Sequence, residues 1–348
     1  MYLSLAEAGL RMPVGTDLVL HEKGRRESLL LDGEALGKVV AEAAGRYHTP
    51  LAFPLMDLTV EKQAIAIMVG ISEAQAATYH FTPATIGPAS HCVDAAIASV
   101  VTPRMKANAS AISWVSKQNG LVPIGMSIGP FSMMTKLIAD PIAPLYMAGA
   151  GVSAVDDPEV ALVEACIDMA LKIIRRSIEV QVNAGAKAVF VCEPAASTAF
   201  ISPKQFAKGS DLFERFVMQP NRVVKQLLDQ AGVDLIFHNC GELVDPMVSE
   251  FATLDPVIFS LGSSRKLWHD AALVPNNIVL YGNLPTKKFY SDAEIPLSAV
   301  PAMTRDLMQH MNVTGHPFIL GSECDVLCVD GSEALIKNKV EAFLTCEC

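Results

Sequence analysis

Charge is sparse in this chain. Asp, Glu, Lys and Arg make up 18% of its 348 residues, and 37 acidic against 27 basic side chains leave a net charge of −10. No Lys/Arg-rich run stands out beyond pairs such as Arg25–Arg26 and Arg175–Arg176, so the basic stripe that grips a phosphate backbone is missing and nucleic-acid binding is not expected. A membrane span is missing too, although the mean hydropathy of +0.33 raises the question. A spanning helix needs about 20 predominantly apolar residues. The uncharged stretch Gln118–Thr135 is broken by Gly120, Pro123, Gly125, Gly129 and Pro130 and reads as a strand and a loop. The opening MYLSLAEAGLRMPVG lacks the basic start, apolar run and cleavage site of an export signal. A cytoplasmic protein is expected. Its eight cysteines are then read as reduced, free for core packing or for a metal, and not as a disulfide framework.

Three motif absences narrow the field further. No G-x-G-x-x-G follows a strand, which removes the usual support for a dinucleotide-binding open sheet. No C-x₂-C pair occurs, so a closed four-ligand zinc site is not expected. No early H-x-H occurs, which argues against a zinc hydrolase built on a barrel.

What is present is a large apolar fraction, 51%, arranged in short runs that alternate with helical segments. Strands are expected at Pro13–Leu20, Leu51–Leu58, Val122–Ile128, Ala188–Cys192, Val233–His238, Val257–Leu261, Ile278–Tyr281 and Phe318–Gly321. Continuous apolar strands belong to parallel sheets covered on both faces. Asp157 before Pro158 starts a helix that should run to about Asn183, with Gly185 beyond it. Ser202–Pro203 repeats the start signal, and a further helix should run from about Pro220 to Ala231 and stop at Gly232. Eight strands with intervening helices point to one α/β domain over residues 1–348, a (β/α)₈ TIM barrel, with residues 1–45 as an N-terminal extension packed on it. A doubly wound open sheet is the runner-up.

The segment VDLIFHNCG (233–241) carries the chemistry. Side chains two apart in a strand face the same way, so His238 and Cys240 share one side at the C-terminal end, where barrel enzymes keep their active sites. PFILGSEC (317–324) places Cys324 beyond the last strand, on the same rim. Imidazole and thiolate suit Zn²⁺, and three protein ligands leave the open position that marks a catalytic site. A lone H-x-C in a strand is more often plain core; the added strand-end cysteine brings the metal reading level with it. Cys328 is a weaker rival for the third position and reads as core.

At this point seven stretches resemble the uroporphyrinogen decarboxylase-like superfamily over nearly the whole chain. They are RMPVGTDLVLH (11–21), PLMDLTVEKQA (54–64), IGPFSMMTKL (128–137), EPAASTAFISPKQF (193–206), FHNCGELVDPM (237–247), YGNL (281–284) and GSECDV (321–326). The last three resemble its cobalamin-dependent methyltransferase branch, typified by methylcobamide:coenzyme M methyltransferase. The resemblance implies a TIM barrel, a zinc ion on His238, Cys240 and Cys324, and methyl transfer between a small substrate and the cobalt of a corrinoid. The chain has no D-x-H-x-x-G corrinoid signature, so a separate corrinoid protein is the implied partner. The other expected partners are a small-molecule methyl donor or acceptor and a second copy of the chain in a homodimer. The decarboxylases of this superfamily lack the His-x-Cys…Cys set and carry a cationic N-terminal loop, where this chain has GTDLVLHEKGRRE with Asp17.

Three further residues are candidates for the catalytic site. Glu193, at a strand end, is read as orienting substrate, carrying a proton or supporting a zinc ligand, against the plainer role of capping a helix. Asp57 belongs to the second strand and its loop, and Asn283, at another strand end, is placed to bond substrate or His238. Glu61 reads equally as a solvent-facing residue at a helix start. Cations are scarce at strand ends, with Arg265 and Lys136 nearest, which favours a neutral or aromatic O-methyl donor over a sulfonate such as coenzyme M. The rival functions are a decarboxylase of the same fold and a non-catalytic binding protein, the latter holding metal only adventitiously at surface cysteines such as Cys346 and Cys348.

Overall fold

The computed structural model describes residues 1–347. Eight strands form a single parallel sheet: β1 Arg11–Val14, β2 Leu51–Ala52, β3 Val122–Ile128, β4 Ala188–Cys192, β5 Asp234–Asn239, β6 Ile258–Leu261, β7 Val279–Leu284 and β8 Phe318–Asp325. Their order is β1-β8-β7-β6-β5-β4-β3-β2, the cyclic order of a (β/α)₈ barrel with its hydrogen-bond ladder unlaced between β1 and β2. Across that seam the Thr16 hydroxyl donates to the Phe53 carbonyl at 2.6 Å.

All eight expected strands are present, but two are shorter than the sequence suggests. The first stops at Val14, and Thr16–Glu22 is a helix in which Leu18, Val19 and Leu20 are all fully buried. A helix buried on every side is as uniformly apolar as a buried strand, so periodicity does not separate the two. The second ends at Ala52 because Pro54, lacking an N–H, cannot extend the ladder. The short β2 leaves part of the β3 edge bare. There the Gln181 side chain takes the place of a strand, accepting from Met126 N at 2.7 Å and donating to Met126 O at 2.8 Å. Gly125 lets it approach, since a Cβ there would lie 2.7 Å from Gln181 Oε1.

Alternation along each strand divides the apolar residues between two cores. Phe190, Ile236, Ile258, Tyr281 and Ile319 fill the barrel, while Val189, Val191, Phe237 and Leu280 face the surrounding helices. Each fully buried aromatic contributes about 2–3 kcal/mol of transfer free energy. The long helix Pro158–Asn183 has the expected ends. Asp157 accepts from the N–H groups of Glu159 and Val160 at 2.8 and 3.1 Å, and Gly185 follows at φ 104°. Residues 1–45 supply β1 as well as peripheral helices. The helix Tyr2–Glu7 closes the N-terminal end of the barrel, where the Tyr2 hydroxyl donates to Asp234 at the start of β5 (2.9 Å). Among the described residues no helix is long and apolar enough to cross a membrane.

Candidate metal centre

The opposite, C-terminal end of the barrel gathers three ligand atoms. One nitrogen of His238 and the sulfurs of Cys240 and Cys324 all lie within 4.8 Å of one another. His238 is the fifth residue of β5, and Cys240 follows the strand. β8 runs four residues past its expected end at Gly321, so Cys324 lies within the strand and not beyond it. The register between β1 and β8 slips there, from Met12↔Gly321 to Val14↔Asp325. Such a bulge re-aims the side chains that follow it. The turn after β5 lies tight against its neighbours, because a Cβ on Gly262 would fall 2.8 Å from the Cys240 Cα and carbonyl oxygen.

His238 is buried, and its Nδ1 lies 2.8 Å from the Ser260 hydroxyl of the adjacent strand. Its Nε2 is buried with no hydrogen-bond partner among the described residues. An unsatisfied buried nitrogen costs about 1–3 kcal/mol, and an electrophile at that atom would remove the penalty. Two sulfurs, one imidazole nitrogen already oriented through its other nitrogen and, among the described residues, no fourth protein ligand fit an open zinc site. Ser260→Ala should weaken zinc binding about 10- to 100-fold without touching a ligand. Competition with a chromophoric chelator measures this, and unchanged affinity would remove Ser260 from the site.

The two thiols are pushed in opposite directions. A hydrogen bond from Cys324, together with His238 and Lys287, holds the Cys240 thiol well below its ordinary range against the opposing effect of burial. The same hydrogen bond, burial and the Cys240 charge push Cys324 up. Burial acts to lower the Lys287 ammonium, but the two sulfurs outweigh it and the sum is upward. Met56 Sδ lies 3.8 Å from the Cys324 sulfur, and the Phe190 ring sits 5.3 Å from the His238 ring.

The three other candidates are engaged by partners other than the three ligand side chains. The Glu193 carboxylate turns to the helix layer, accepting from Ser132 N at 2.5 Å in the first turn of the helix Pro130–Leu137 and from Asn221 Nδ2 at 3.3 Å. It occupies the capping role, and burial pushes it up to about 7. Asp57 pairs with Arg104 at 2.9 Å and accepts from the Thr59 hydroxyl. Asn283 does not bond His238; it donates to the carbonyls of Gly262 and Arg265, both at 2.9 Å, and so braces the turn beside Cys240. Glu61 is not solvent-facing but buried, accepting from Ser177 and Ser127, and burial pushes it up to about 7. Arg265 is taken by Asp270 and Asp245. Cys346 is buried and not a surface thiol, and Cys348 lies outside the described residues.

The residue that sequence reasoning missed is Lys287. It lies in the short turn Thr286–Lys288 directly after β7, beyond the expected strand end at Tyr281. No motif marked it.

A family model described as Uroporphyrinogen decarboxylase (URO-D) matches residues 18–337. No match was found among curated proteins. Among solved structures, a methyltransferase from Methanosarcina mazei superposes with a TM-score of 0.68 at 15% identity, covering 96% of this chain and 92% of that one. At that identity the likeness is one of fold.

Proposed function

The chain belongs to the uroporphyrinogen decarboxylase family, and from that premise we propose that it transfers methyl groups rather than decarboxylating porphyrinogens. The reading is that a methyl group moves between a small substrate and the cobalt of a corrinoid carried by a separate protein. The substrate would be an O-methyl donor, such as a methoxylated aromatic that is O-demethylated, or a thiol acceptor. The observation that carries it is the convergence of His238, Cys240 and Cys324, with a buried imidazole nitrogen left without a hydrogen-bond partner among the described residues. A zinc ion held by these three would supply Lewis acidity to a thiol or ether oxygen of the substrate. Ser260 fixes the ring of His238, and Asn283 braces the turn next to Cys240. Phe190 and Met56 lend the centre an apolar flank, beside the His238 ring and the Cys324 sulfur respectively. A decarboxylase reading gains little here, because Arg26 of the N-terminal segment is already paired with Asp17.

The test is spectroscopic. Zinc-loaded protein is mixed with methylcob(III)alamin and a panel of thiols, and separately with cob(I)alamin and methoxylated aromatics. A zinc-dependent interconversion of the two cobalamin spectra is expected with at least one substrate. No change with any of them would sink methyl transfer and return decarboxylation to the front.

A further inference from the structure

The helix layer holds a surface pocket of about 430 Å³. It opens between the first turn of the helix Val60–Met68, the last turn of the helix Pro130–Leu137 and the connecting segment 73–80. None of the three metal-centre ligands lines it. We propose that this pocket is a phosphate-binding site held by Lys62 and Lys136, separate from the metal centre. Lys62 is only 8% exposed, and a lysine is almost never so buried unless it is paired. Among the described residues no carboxylate pairs with it. Its ammonium donates to the Ala77 carbonyl at 2.9 Å and has further N–H bonds to give. Lys136 lines the same pocket, half-buried, and among the described residues it too pairs with no carboxylate. Of the two cations nearest the strand ends, Arg265 is committed to Asp245 and Asp270, and Lys136 is left over. Glu73, the carboxylate that lines the pocket, is exposed at the start of the helix Glu73–Ala76 and pairs with neither lysine.

The walls of the pocket are tied together. The Phe81 N–H donates to the Leu137 carbonyl at 2.8 Å, and Phe81 and Ile138 form a parallel bridge. This joins the chain beside His80 to the chain beside Lys136. The bond from Lys62 to Ala77 joins the third wall. Two ammonium groups thus line one concavity from separate elements that are held in place. Burial, and then the charge of Lys136, lower Lys62 from its ordinary value. An anion between the two lysines would remove that repulsion. A phosphate group carries a charge of about −1.5 to −2 near neutral pH, which matches two lysines acting as point charges. A carboxylate would leave one of them unbalanced. Burial, and then Lys62, lower His80 from its ordinary value, so near neutral pH its ring offers a hydrogen bond and not a charge.

The test is isothermal titration with inorganic phosphate, phenyl phosphate and acetate at constant ionic strength. Both phosphates should saturate, and acetate should bind more weakly. Tighter binding of phenyl phosphate than of inorganic phosphate would identify the ligand as a phosphate ester, and equal binding as the free ion. Lys62→Met should weaken phosphate binding about tenfold or more, and Lys136→Met, at a less buried site, about threefold. If Lys62→Met does not fold, the charge reversal Lys136→Glu carries the test and should abolish saturation. Lys117→Met removes an equal charge from an exposed position elsewhere and should change nothing. Cys240→Ser should bind phosphate as the wild type does, which keeps this site distinct from the metal centre and from the methyl-transfer reading. No saturable phosphate binding, acetate bound as tightly as phosphate, saturation that survives Lys136→Glu, or binding lost in Cys240→Ser would each overturn the inference.

Discussion

Cys240→Ser protein, washed with a mild chelator, should retain only a small fraction of the zinc that the wild type holds at close to one equivalent per chain. Structural four-ligand zinc sites bind with about 10–16 kcal/mol at neutral pH. Shared over four ligands, this is about 3 kcal/mol each, or roughly a hundredfold in affinity for the loss of one. Serine does not make up the deficit, because its hydroxyl stays protonated where the Cys240 thiol is held low by Cys324 and His238. Methyl transfer should fall at least as far as metal occupancy. The fold should hold, since Cys240 lies just past the end of β5 and belongs to neither large core. Cys192→Ala is the control. Cys192 is buried inside the barrel one strand away, paired in register with His238, and its sulfur lies 3.6 Å from Met126 Sδ. Its loss should reduce stability by about 1 kcal/mol and leave zinc in place. Elemental analysis and thermal melts of the three proteins decide the matter. Full zinc retention in Cys240→Ser would remove Cys240 from the centre.

The parts of the fold that the sequence made legible are those where local signals and burial agree. β3 and β4 begin and end where expected, because each is an apolar run closed by a breaker or a polar residue. The helix Pro158–Asn183 is bounded by its own capping chemistry. β1 and β2 were obscured by tertiary context: an all-buried helix follows one, and the stretch after Pro54 leaves the sheet. Neither fact leaves a trace in periodicity.

The site divides in the same way. His238 and Cys240 were legible from period two, and Cys324 from its place near the last strand. Period two also carried the answer for Glu193, which shares its side of the strand with Val191. Val191 packs against the helices, and the inward side belongs to Phe190 and Cys192. Being at a strand end on the catalytic face was therefore not sufficient; parity decides which ends look in. Lys287 had no such signal, because a short helical turn sets its direction and its neighbours come from β5 and β8.

Gly129→Ala should be among the most damaging single substitutions in the chain, and the reason is Glu193. Gly129 has an ordinary φ of −76°, so backbone strain plays no part. A Cβ there would fall 1.6 Å from Glu193 Oε2 and 2.3 Å from its Cδ, far inside contact distance. The carboxyl has nowhere to go. It is fully buried and held by Ser132 N at 2.5 Å and Asn221 Nδ2 at 3.3 Å. Moving it leaves a buried carboxyl and two donors unsatisfied, each worth about 1–3 kcal/mol, and the backbone shift adds to this. A loss of about 4 kcal/mol is a large part of the roughly 5–15 kcal/mol that holds a domain folded, and spread over the unfolding entropy of a chain of 348 residues it should lower Tm by about 5 °C. Glu193→Ala removes the clash by removing the carboxyl, at the expense of the same two donors. If the steric account is right, the double substitution is less destabilised than the sum of the two single ones, with a coupling of at least about 1 kcal/mol. Simple additivity in urea melts would show instead that Gly129 is required for some reason other than Glu193.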